Sequence, residues 1–261
     1  MEYLGFIAAI VMGMVLGAIG GGGSILTVPI LVYFFGQDAS TATGYSLLIV
    51  GLTATYGAIN YYRKGLIEVK AALTFAVPSI IAVYLTRAYL MPAIPEVIFS
   101  TPFVLEKDVL IMVSFAFLMM LSAYMMLTKN TSQSKQTKGN HNPLYIVVEG
   151  AVVGVATGML GAGGGFLIIP ALVLLMGMEM KKAVGASLLI ISLKSLIGFT
   201  GDLQAGVSVD WLLIGKLIIF TIFGMWFGTR MASKIDGNKL QKGFGVFTLF
   251  IAIFILVKEL I

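Results

Sequence analysis

Residues 3–36 read YLGFIAAIVMGMVLGAIGGGGSILTVPILVYFFG, an apolar stretch that a run of glycines divides in two. The first part, residues 3–19, is apolar enough to enter a membrane as a helix. The second part, residues 24–36, would reach only about 20 Å as a helix, which is short for a full crossing. The stretch therefore predicts either one broken crossing or a re-entrant hairpin that turns back at the glycines.

The whole chain shares this apolar character. Hydrophobic residues make up 59% of its 261 residues and charged residues 11%, whereas a soluble domain has about 25% charged residues. Apolar runs of about 20 residues recur from end to end, so the sequence predicts a multi-pass membrane protein embedded in the lipid bilayer. The net charge of +5 reflects the positive-inside bias of membrane loops, and nucleic acid is not an expected partner.

The pattern of the first stretch returns at an offset of 141 residues. Gly44-Tyr45-Ser46-Leu47-Leu48-Ile49 matches Gly185-Ala186-Ser187-Leu188-Leu189-Ile190, and Pro29-Ile30-Leu31 matches Pro170-Ala171-Leu172. Glycines and prolines stay in step over more than fifty residues without an insertion. Chance similarity between apolar segments would not keep this register, so the chain contains an internal repeat.

The repeat predicts how the chain is organised. The first transmembrane repeat is 1–128, a polar linker is 129–143, and the second transmembrane repeat is 144–261. We expect an all-α integral membrane protein with about eight spans, in which each repeat has a glycine-broken segment and three transmembrane helices. The predicted segments are 3–36, 41–61, 69–91 and 108–128, then 144–177, 181–200, 208–229 and 240–260.

Loop charges decide how the glycine-broken segments are arranged. If each crosses the membrane once, twelve loop cations divide six and six between the two sides; if each turns back, all twelve share one side. These are Arg63, Lys64, Lys70, Lys129, Lys135, Lys138, Lys181, Lys182, Arg230, Lys234, Lys239 and Lys242. The positive-inside rule favours re-entrant hairpins, a cytoplasmic linker and external termini. The two copies are then inverted, an arrangement typical of alternating-access transporters.

The glycines at the hairpin tips are the main candidate substrate-binding residues. Glycine leaves backbone N–H groups uncovered, and irregular backbone at membrane depth is tolerated only where it is buried or lines a cavity. A helix begins after each tip, and its N-terminus carries a dipole equivalent to about +0.5 charge. Two such ends approaching from opposite faces predict an anion site. The candidates are Gly20, Gly21, Gly22, Gly23, Ser24, Gly161, Gly163, Gly164 and Gly165.

Nucleotide binding and helix packing are the alternatives for the tip glycines. A dinucleotide-binding G-x-G-x-x-G motif would need glycine where Ile25 and Phe166 stand, and no Walker lysine follows either run. Close helix packing through small residues is the stronger alternative. It is the expected role of the spaced pairs Gly13/Gly17, Gly154/Gly158 and Gly224/Gly228.

Three further side chains are candidates for the same site. Ser46 and Ser187, in the paired G-x-S-L-L motifs, are candidate hydroxyl donors to the substrate. The alternative is that each hydroxyl bonds to its own helix backbone. Lys194 lies inside the sixth span, where the first copy has Thr53. A lysine within the membrane is costly to bury, so it is a functional candidate.

Other charged residues lie nearer the ends of the predicted spans. Arg87 and Lys216 are expected to extend their charged groups to the membrane interface. Asp202, near the end of the sixth span, is a weaker candidate for a polar vestibule.

Few side chains suited to catalysis are available. The chain has no cysteine, and its one histidine, His141, lies in the linker, so thiolate and imidazole metal sites are not expected. A membrane serine hydrolase would need a general base beside its serine, and neither G-x-S motif is followed by glycine. The sequence favours a protein that is not an enzyme and that needs no cofactor or metal.

The paired glycine-run, Pro-x-Leu and G-x-S-L-L motifs resemble those of the sulfite exporter TauE/SafE family, also called the toluene sulfonate uptake permease family. The resemblance covers essentially the whole chain and is strongest in the glycine runs that lead to a proline, Gly21–Pro29 and Gly163–Pro170. The departures are Ala162 in the second run and Gly165 where the first copy has Ser24, so the two tips need not bind alike.

What the resemblance implies is a multi-pass secondary carrier of the plasma (inner) membrane that moves sulfite, organosulfonates, related sulfur oxyanions or other organic anions. A passive anion channel and a carrier of small carboxylates are the alternatives. A proton or sodium ion is the expected type of coupling ion. The sequence leaves open the particular anion, the direction of transport and the oligomeric state.

Overall fold

The computed structural model describes residues 2–21, 23–99, 105–128, 143–160, 165–175, 178–232 and 235–260. The helices before the linker are α1 (Glu2–Ile19), α2 (Ser24–Phe35), α3 (Ala39–Arg63), α4 (Val69–Leu85), α5 (Met91–Ala93) and α6 (Lys107–Thr128), with a π-helical turn at Thr86–Leu90. Those after it are α7 (Pro143–Leu160), α8 (Gly165–Pro170), α9 (Met180–Gln204), α10 (Trp211–Ala232) and α11 (Gly237–Leu260), with a π-helical turn at Ala171–Leu175.

The helices confirm the prediction of a multi-pass membrane protein. Within the described residues, seven segments are long and apolar enough to cross a bilayer: Glu2–Ile19, Ala39–Arg63, Ala72–Ala93, Lys107–Thr128, Met180–Gln204, Trp211–Ala232 and Gln241–Lys258. Two shorter apolar segments, Ser24–Phe35 and Val147–Leu160, accompany them. Every predicted transmembrane helix corresponds to one of the long segments.

A short β-hairpin precedes α6 and was not predicted. Strand β1 (Val97–Phe99) pairs antiparallel with β2 (Leu105–Glu106). Next to this pair, the Lys107 N–H donates to the Glu96 carbonyl at 2.9 Å. β-branched and aromatic residues favour strands, but a run this short gives no periodic signal in the sequence.

Helix α2 folds back along α1, as predicted for a re-entrant hairpin. A Cβ added to Gly5 would lie 2.5 Å from the ring of Phe35 at the end of α2. At the other end of the pair, a Cβ on Gly23 would overlap the backbone oxygen of Met12. The end of α2 therefore lies beside the start of α1, and both helices lead to the same face of the molecule.

Helices α3 and α9, which match in the repeat, run antiparallel. Gly44 near the start of α3 lies beside Asp202 near the end of α9, and Gly57 lies beside Leu188. Inverted copies require this orientation, because equivalent helices then cross in opposite directions. The exact boundaries of the two repeats stay a prediction.

The hairpin helix of each copy packs against a helix of the other copy. A Cβ on Gly13 of α1 would overlap the backbone oxygen of Thr221 on α10, and one on Gly228 would overlap that of Met14. In the same way, a Cβ on Gly154 of α7 would lie 2.6 Å from the backbone oxygen of Ser79 on α4. The glycine pairs away from the tips therefore serve close helix packing, as predicted.

Charged residues form different contacts at the two ends of the bundle in the described part of the chain. At one end Lys182 pairs with Glu68 at 2.9 Å, and Lys64 Nζ donates to the Thr229 carbonyl at 3.1 Å. At the other end, where α3 begins, the Asp108 carboxylate accepts from the N–H groups of Ala39 and Ser40, each at 3.2 Å. The basic end is the predicted cytoplasmic face. Residues 129–142 of the predicted linker lie outside the described residues.

Candidate substrate-binding site

The two hairpin tips meet at Gly21 and Gly165. A Cβ on Gly21 would overlap the backbone of Gly165, and a Cβ on Gly165 would overlap the Cα of Gly21 and lie 2.7 Å from Ile191 Cδ1. We call this pair the tip contact. It brings the first residues of α2 and α8 together beside α9, which is the approach that the sequence predicted. The other tip candidates Gly22, Gly161, Gly163 and Gly164 lie outside the described residues.

Gly20 and Ser187 join the first tip to α9. Gly20 has φ +79°, a left-handed conformation that favours glycine. The Ser187 hydroxyl lies 3.0 Å from the Gly20 carbonyl and 2.9 Å from the Val184 carbonyl of its own helix. Ser187 therefore has two acceptors for one proton, and one of them is the tip itself.

The first tip also forms hydrogen bonds within its own turn. The Ser24 hydroxyl donates to the Gly21 carbonyl at 2.7 Å, and the Ser24 N–H approaches the same oxygen at 3.3 Å. The Leu26 N–H donates to the Gly23 carbonyl at 3.0 Å. Part of the donor set expected to face an anion is thus occupied locally, although a contact of 3.3 Å is longer than the usual hydrogen-bond range and is readily exchanged.

Ser46 is buried at the position that matches Ser187. Its hydroxyl donates to the Thr43 carbonyl at 3.0 Å, one turn earlier in α3. This is the helix-backbone bond that the sequence offered as the alternative to a substrate contact.

Lys194 is fully buried in α9 and reaches the other hairpin. Its Nζ donates to Thr157 Oγ1 on α7 at 2.8 Å, and Thr157 is four residues before the second glycine run. Within the described residues, no carboxylate oxygen lies within 4.0 Å of this nitrogen. Lys194 is three residues from Ile191, which touches Gly165, so both lie on the same face of α9.

The matching position in the first copy holds no charge. Thr53 Oγ1 lies 2.7 Å from Thr221 Oγ1 on α10 and donates to the Ile49 carbonyl of its own helix. A pair of hydroxyls thus replaces the cation. Among the described residues, the site combines glycines from both hairpins with one positive side chain, that of Lys194.

Arg87 is a functional candidate that the sequence did not reveal. It was expected to extend to the interface, and this prediction is wrong: its side chain is 2% exposed and its Nε lies 2.6 Å from Asp202 Oδ1. Its Nη1 donates to Thr43 Oγ1 at 2.9 Å and to the Gly158 carbonyl at 3.2 Å. Lys216, by contrast, is exposed on α10. The available signal was the predicted topology, which placed Arg87 and Asp202 at the outer ends of their spans.

Comparison with known proteins gives the family. The model of the family described as sulfite exporter TauE/SafE matches residues 5–255. The chain belongs to this family. It is therefore a multi-pass membrane transporter of the plasma membrane, and its seven long apolar helices within the described residues agree with several membrane spans.

Relatives of this TauE/SafE protein come from several bacteria. A "Probable membrane transporter protein" of Xylella fastidiosa (strain 9a5c) is 29% identical over 252 residues, covering 94% of this chain and 91% of the relative. The "Probable membrane transporter protein YdhB" of Bacillus subtilis (strain 168) is 26% identical over 230 residues, covering 85% and 86%. A relative in Haemophilus influenzae is 24% identical and covers 94% of each chain. No solved structure matches the chain significantly.

Proposed function

We propose that this TauE/SafE transporter is a secondary carrier of small anions, most specifically sulfite, organosulfonates or related sulfur oxyanions, and that it works by alternating access. The observation that carries the proposal is Lys194. It is a fully buried lysine without a carboxylate partner in the described residues, and it lies one helical turn along α9 from Ile191, which contacts Gly165 of the tip contact.

The energetic argument starts from the cost of burying this lysine. An ammonium group away from water is strongly disfavoured unless a negative charge or several acceptors surround it. The Thr157 hydroxyl supplies one acceptor, and no carboxylate among the described residues pairs with the positive charge. At an effective dielectric constant near 20, an anion about 4 Å away would attract it by about 4 kcal/mol before the desolvation cost is subtracted.

The glycine tips supply direction and shape for the same anion. Helices α2 and α8 begin at the tip contact, and a helix N-terminus carries partial positive charge. Because Gly21 and Gly165 lack side chains, an oxyanion could approach their backbone closely once the tip contact opens. The candidate binding residues therefore remain Lys194, the two glycine runs, Ser24, Ser46 and Ser187.

Alternating access is supported by the exchange of helices between the copies. Helix α1 packs on α10 and α7 packs on α4, so each hairpin moves with a helix of the opposite copy. A small rotation of one such group against the other would separate Gly21 from Gly165 on one face at a time. A passive channel would instead need both faces open together.

The test has two measurements on purified protein. Sulfite, thiosulfate, methanesulfonate and small carboxylates are compared for thermal stabilisation, since a ligand that prefers the folded form raises its apparent stability. We expect the sulfur oxyanions to stabilise most; greater stabilisation by carboxylates would reassign the substrate class. In proteoliposomes, counterflow of the stabilising anion supports a carrier, and flux without saturation or exchange supports a channel. A proton or sodium gradient then identifies the coupling ion.

A further inference from the structure

A polar cavity lies at the opposite end of the bundle from the Lys182–Glu68 pair. It has a volume of about 150 Å³, enough for several water molecules. Its lining residues are Ser40, Thr41, Arg87, Met91, Pro92, Lys107, Asp202, Ala205 and Val207. We call it the external vestibule, because the predicted topology places this end outside. None of the candidate residues of the tip site lines it.

Arg87 lines the external vestibule, and its guanidinium already forms an ion pair there. Its Nε contacts Asp202 Oδ1 at 2.6 Å, and its Nη2 lies next to Gly44, where an added Cβ would be only 3.0 Å away. The guanidinium is planar and binds two oxygens of one acid group side by side. An oxyanion of sulfur presents oxygens to it in much the same way as a carboxylate does.

Asp202 is bonded through one oxygen only. Its Oδ1 contacts Arg87, whereas its buried Oδ2 has no hydrogen-bond partner within the described part of the chain. A Cβ on Gly44 would lie 3.1 Å from Oδ2, so the glycine leaves this oxygen room. Within the described residues, Asp202 is thus held by Arg87 through one oxygen, and its second oxygen is free to accept another donor.

Lys107 adds a second cation to the lining of the external vestibule. It is buried and its Nζ donates to the Met91 carbonyl at 3.0 Å. The neighbouring Asp108 carboxylate accepts from the N–H groups of Ala39 and Ser40, and Ser40 also lines the cavity. Arg87 and Lys107 therefore place two cationic side chains in the lining, where Asp202 is the one carboxylate that the described residues contribute.

We propose that the external vestibule binds the small oxyanion on its way to or from the tip site, and that Asp202 occupies the place of the anion when it is absent. The inference rests on the proposed anion transport. An oxyanion that enters the cavity replaces the Asp202 carboxylate as the ion-pair partner of the Arg87 guanidinium. Because Arg87 Nη1 also holds the Gly158 carbonyl of α7, this exchange acts directly on the helix that leads to the second tip.

The test uses a single thiol placed in the external vestibule of the full-length chain. The protein has no cysteine, so Ser40→Cys creates its only thiol in a cavity-lining position. Two methanethiosulfonate reagents of equal length are compared, one ending in a sulfonate and the other in a trimethylammonium group. The measured quantity is the ratio of their reaction rates, which cancels differences in the reactivity of the thiol.

Removing Asp202 should raise this ratio. Asp202→Asn keeps the shape of the side chain and frees Arg87, so the sulfonate reagent should gain about tenfold if Arg87 is free about a tenth of the time in the parent. Methanesulfonate should slow labelling more strongly in this variant than in the Ser40→Cys parent.

The matched control is Arg87→Gln combined with Asp202→Asn. It carries the same net charge as the parent but lacks the guanidinium, and it leaves neither ion unpaired, so it tests the inference even if Asp202→Asn alone fails to fold. We expect the ratio of sulfonate to trimethylammonium labelling rates in this double variant to fall below that of the parent.

The outcomes separate the two proposals. Equal ratios in the parent and the double variant would show that the ion pair is only structural. If sulfur oxyanions stabilise the parent while the ratios stay equal, only the external vestibule is refuted; if no anion stabilises the parent, the transport proposal itself fails.

Discussion

Helices α3 and α9 hold matching positions in the two copies, yet their surroundings differ. Gly44 of α3 leaves room for the ion pair of Arg87 with Asp202. The matching Gly185 of α9 instead packs against the loop after α3, because a Cβ added to it would lie 2.6 Å from the backbone oxygen of Leu66. The same glycine in the same motif thus admits a charged pair at one end of the bundle and a loop at the other. The glycine of the repeated motif leaves space beside each helix, and the neighbouring residues, which differ between the copies, determine which groups occupy that space.

Near the middle of α3 and α9, matching positions of the two copies also have different surroundings. Thr53 of α3 meets the hydroxyl of Thr221, and Lys194 of α9 meets that of Thr157. On the proposed mechanism this asymmetry is expected. Both copies must supply a hairpin, because each opens the site to one side, but one lysine can serve an anion arriving from either side.

The first prediction tests the inversion on which this comparison depends and has an all-or-none result. Ser134→Cys lies in the predicted cytoplasmic linker, and Ser208→Cys replaces an exposed residue at the opposite end of the bundle. Because equivalent helices run in opposite directions, an impermeant thiol reagent should label Ser208→Cys only from outside and Ser134→Cys only from the cytoplasm. Labelling of both from the same side would contradict the inverted arrangement.

The second prediction is a complete loss of transport in Gly21→Leu. The new side chain would overlap the backbone of Gly165 and force the tips apart. The matched control is Gly215→Leu, because a Cβ on Gly215 meets nothing within 4 Å, and it should transport normally. Uptake of the stabilising anion into proteoliposomes gives the answer. A folded Gly21→Leu protein that binds anion normally yet fails to transport would assign the tip contact to gating alone.

Much of the fold could be predicted because its signals are local. Apolar length places the transmembrane helices, and glycine followed by a short apolar segment indicates the first hairpin, which contacts at Gly5 and Gly23 bear out. The strands β1 and β2 were missed since three and two residues carry no periodicity. Local patterns report the state of a segment and say little about its neighbours.

The candidate site was harder to predict because it is assembled across the copies. Arg87 and Asp202 lie 115 residues apart, and the rule that sends an arginine to the interface considers one helix alone. Likewise, the glycine runs indicate two tips, but only the three-dimensional packing shows that Gly21 and Gly165 are the residues that touch.

The third prediction concerns the charge that distinguishes α9 from α3. Lys194→Met keeps an unbranched side chain and removes the cation, so it should weaken anion binding by about ten-fold to a hundred-fold, equivalent to roughly 1–3 kcal/mol. Binding must be measured on folded protein, because a transport defect alone could come from lost gating. Thr53→Val at the matching position is the control and should change affinity little. Equal affinity in Lys194→Met and the parent would remove the lysine from the site.

The last and smallest effect is expected at Ser187, whose hydroxyl joins the first tip to α9. Ser187→Ala removes the contact with the Gly20 carbonyl, and side-chain hydrogen bonds between membrane helices contribute about 0.6 kcal/mol on average. If the tip must be held in place to bind, anion affinity should fall about threefold, the equivalent of that energy. Ser192→Ala, on the same helix, is the matched control because the Ser192 hydroxyl donates to the Leu189 carbonyl of α9 itself. Titration calorimetry with both variants separates the cases: a loss confined to Ser187→Ala ties affinity to the tip, and equal affinities would show that the Ser187 hydroxyl serves only its own helix.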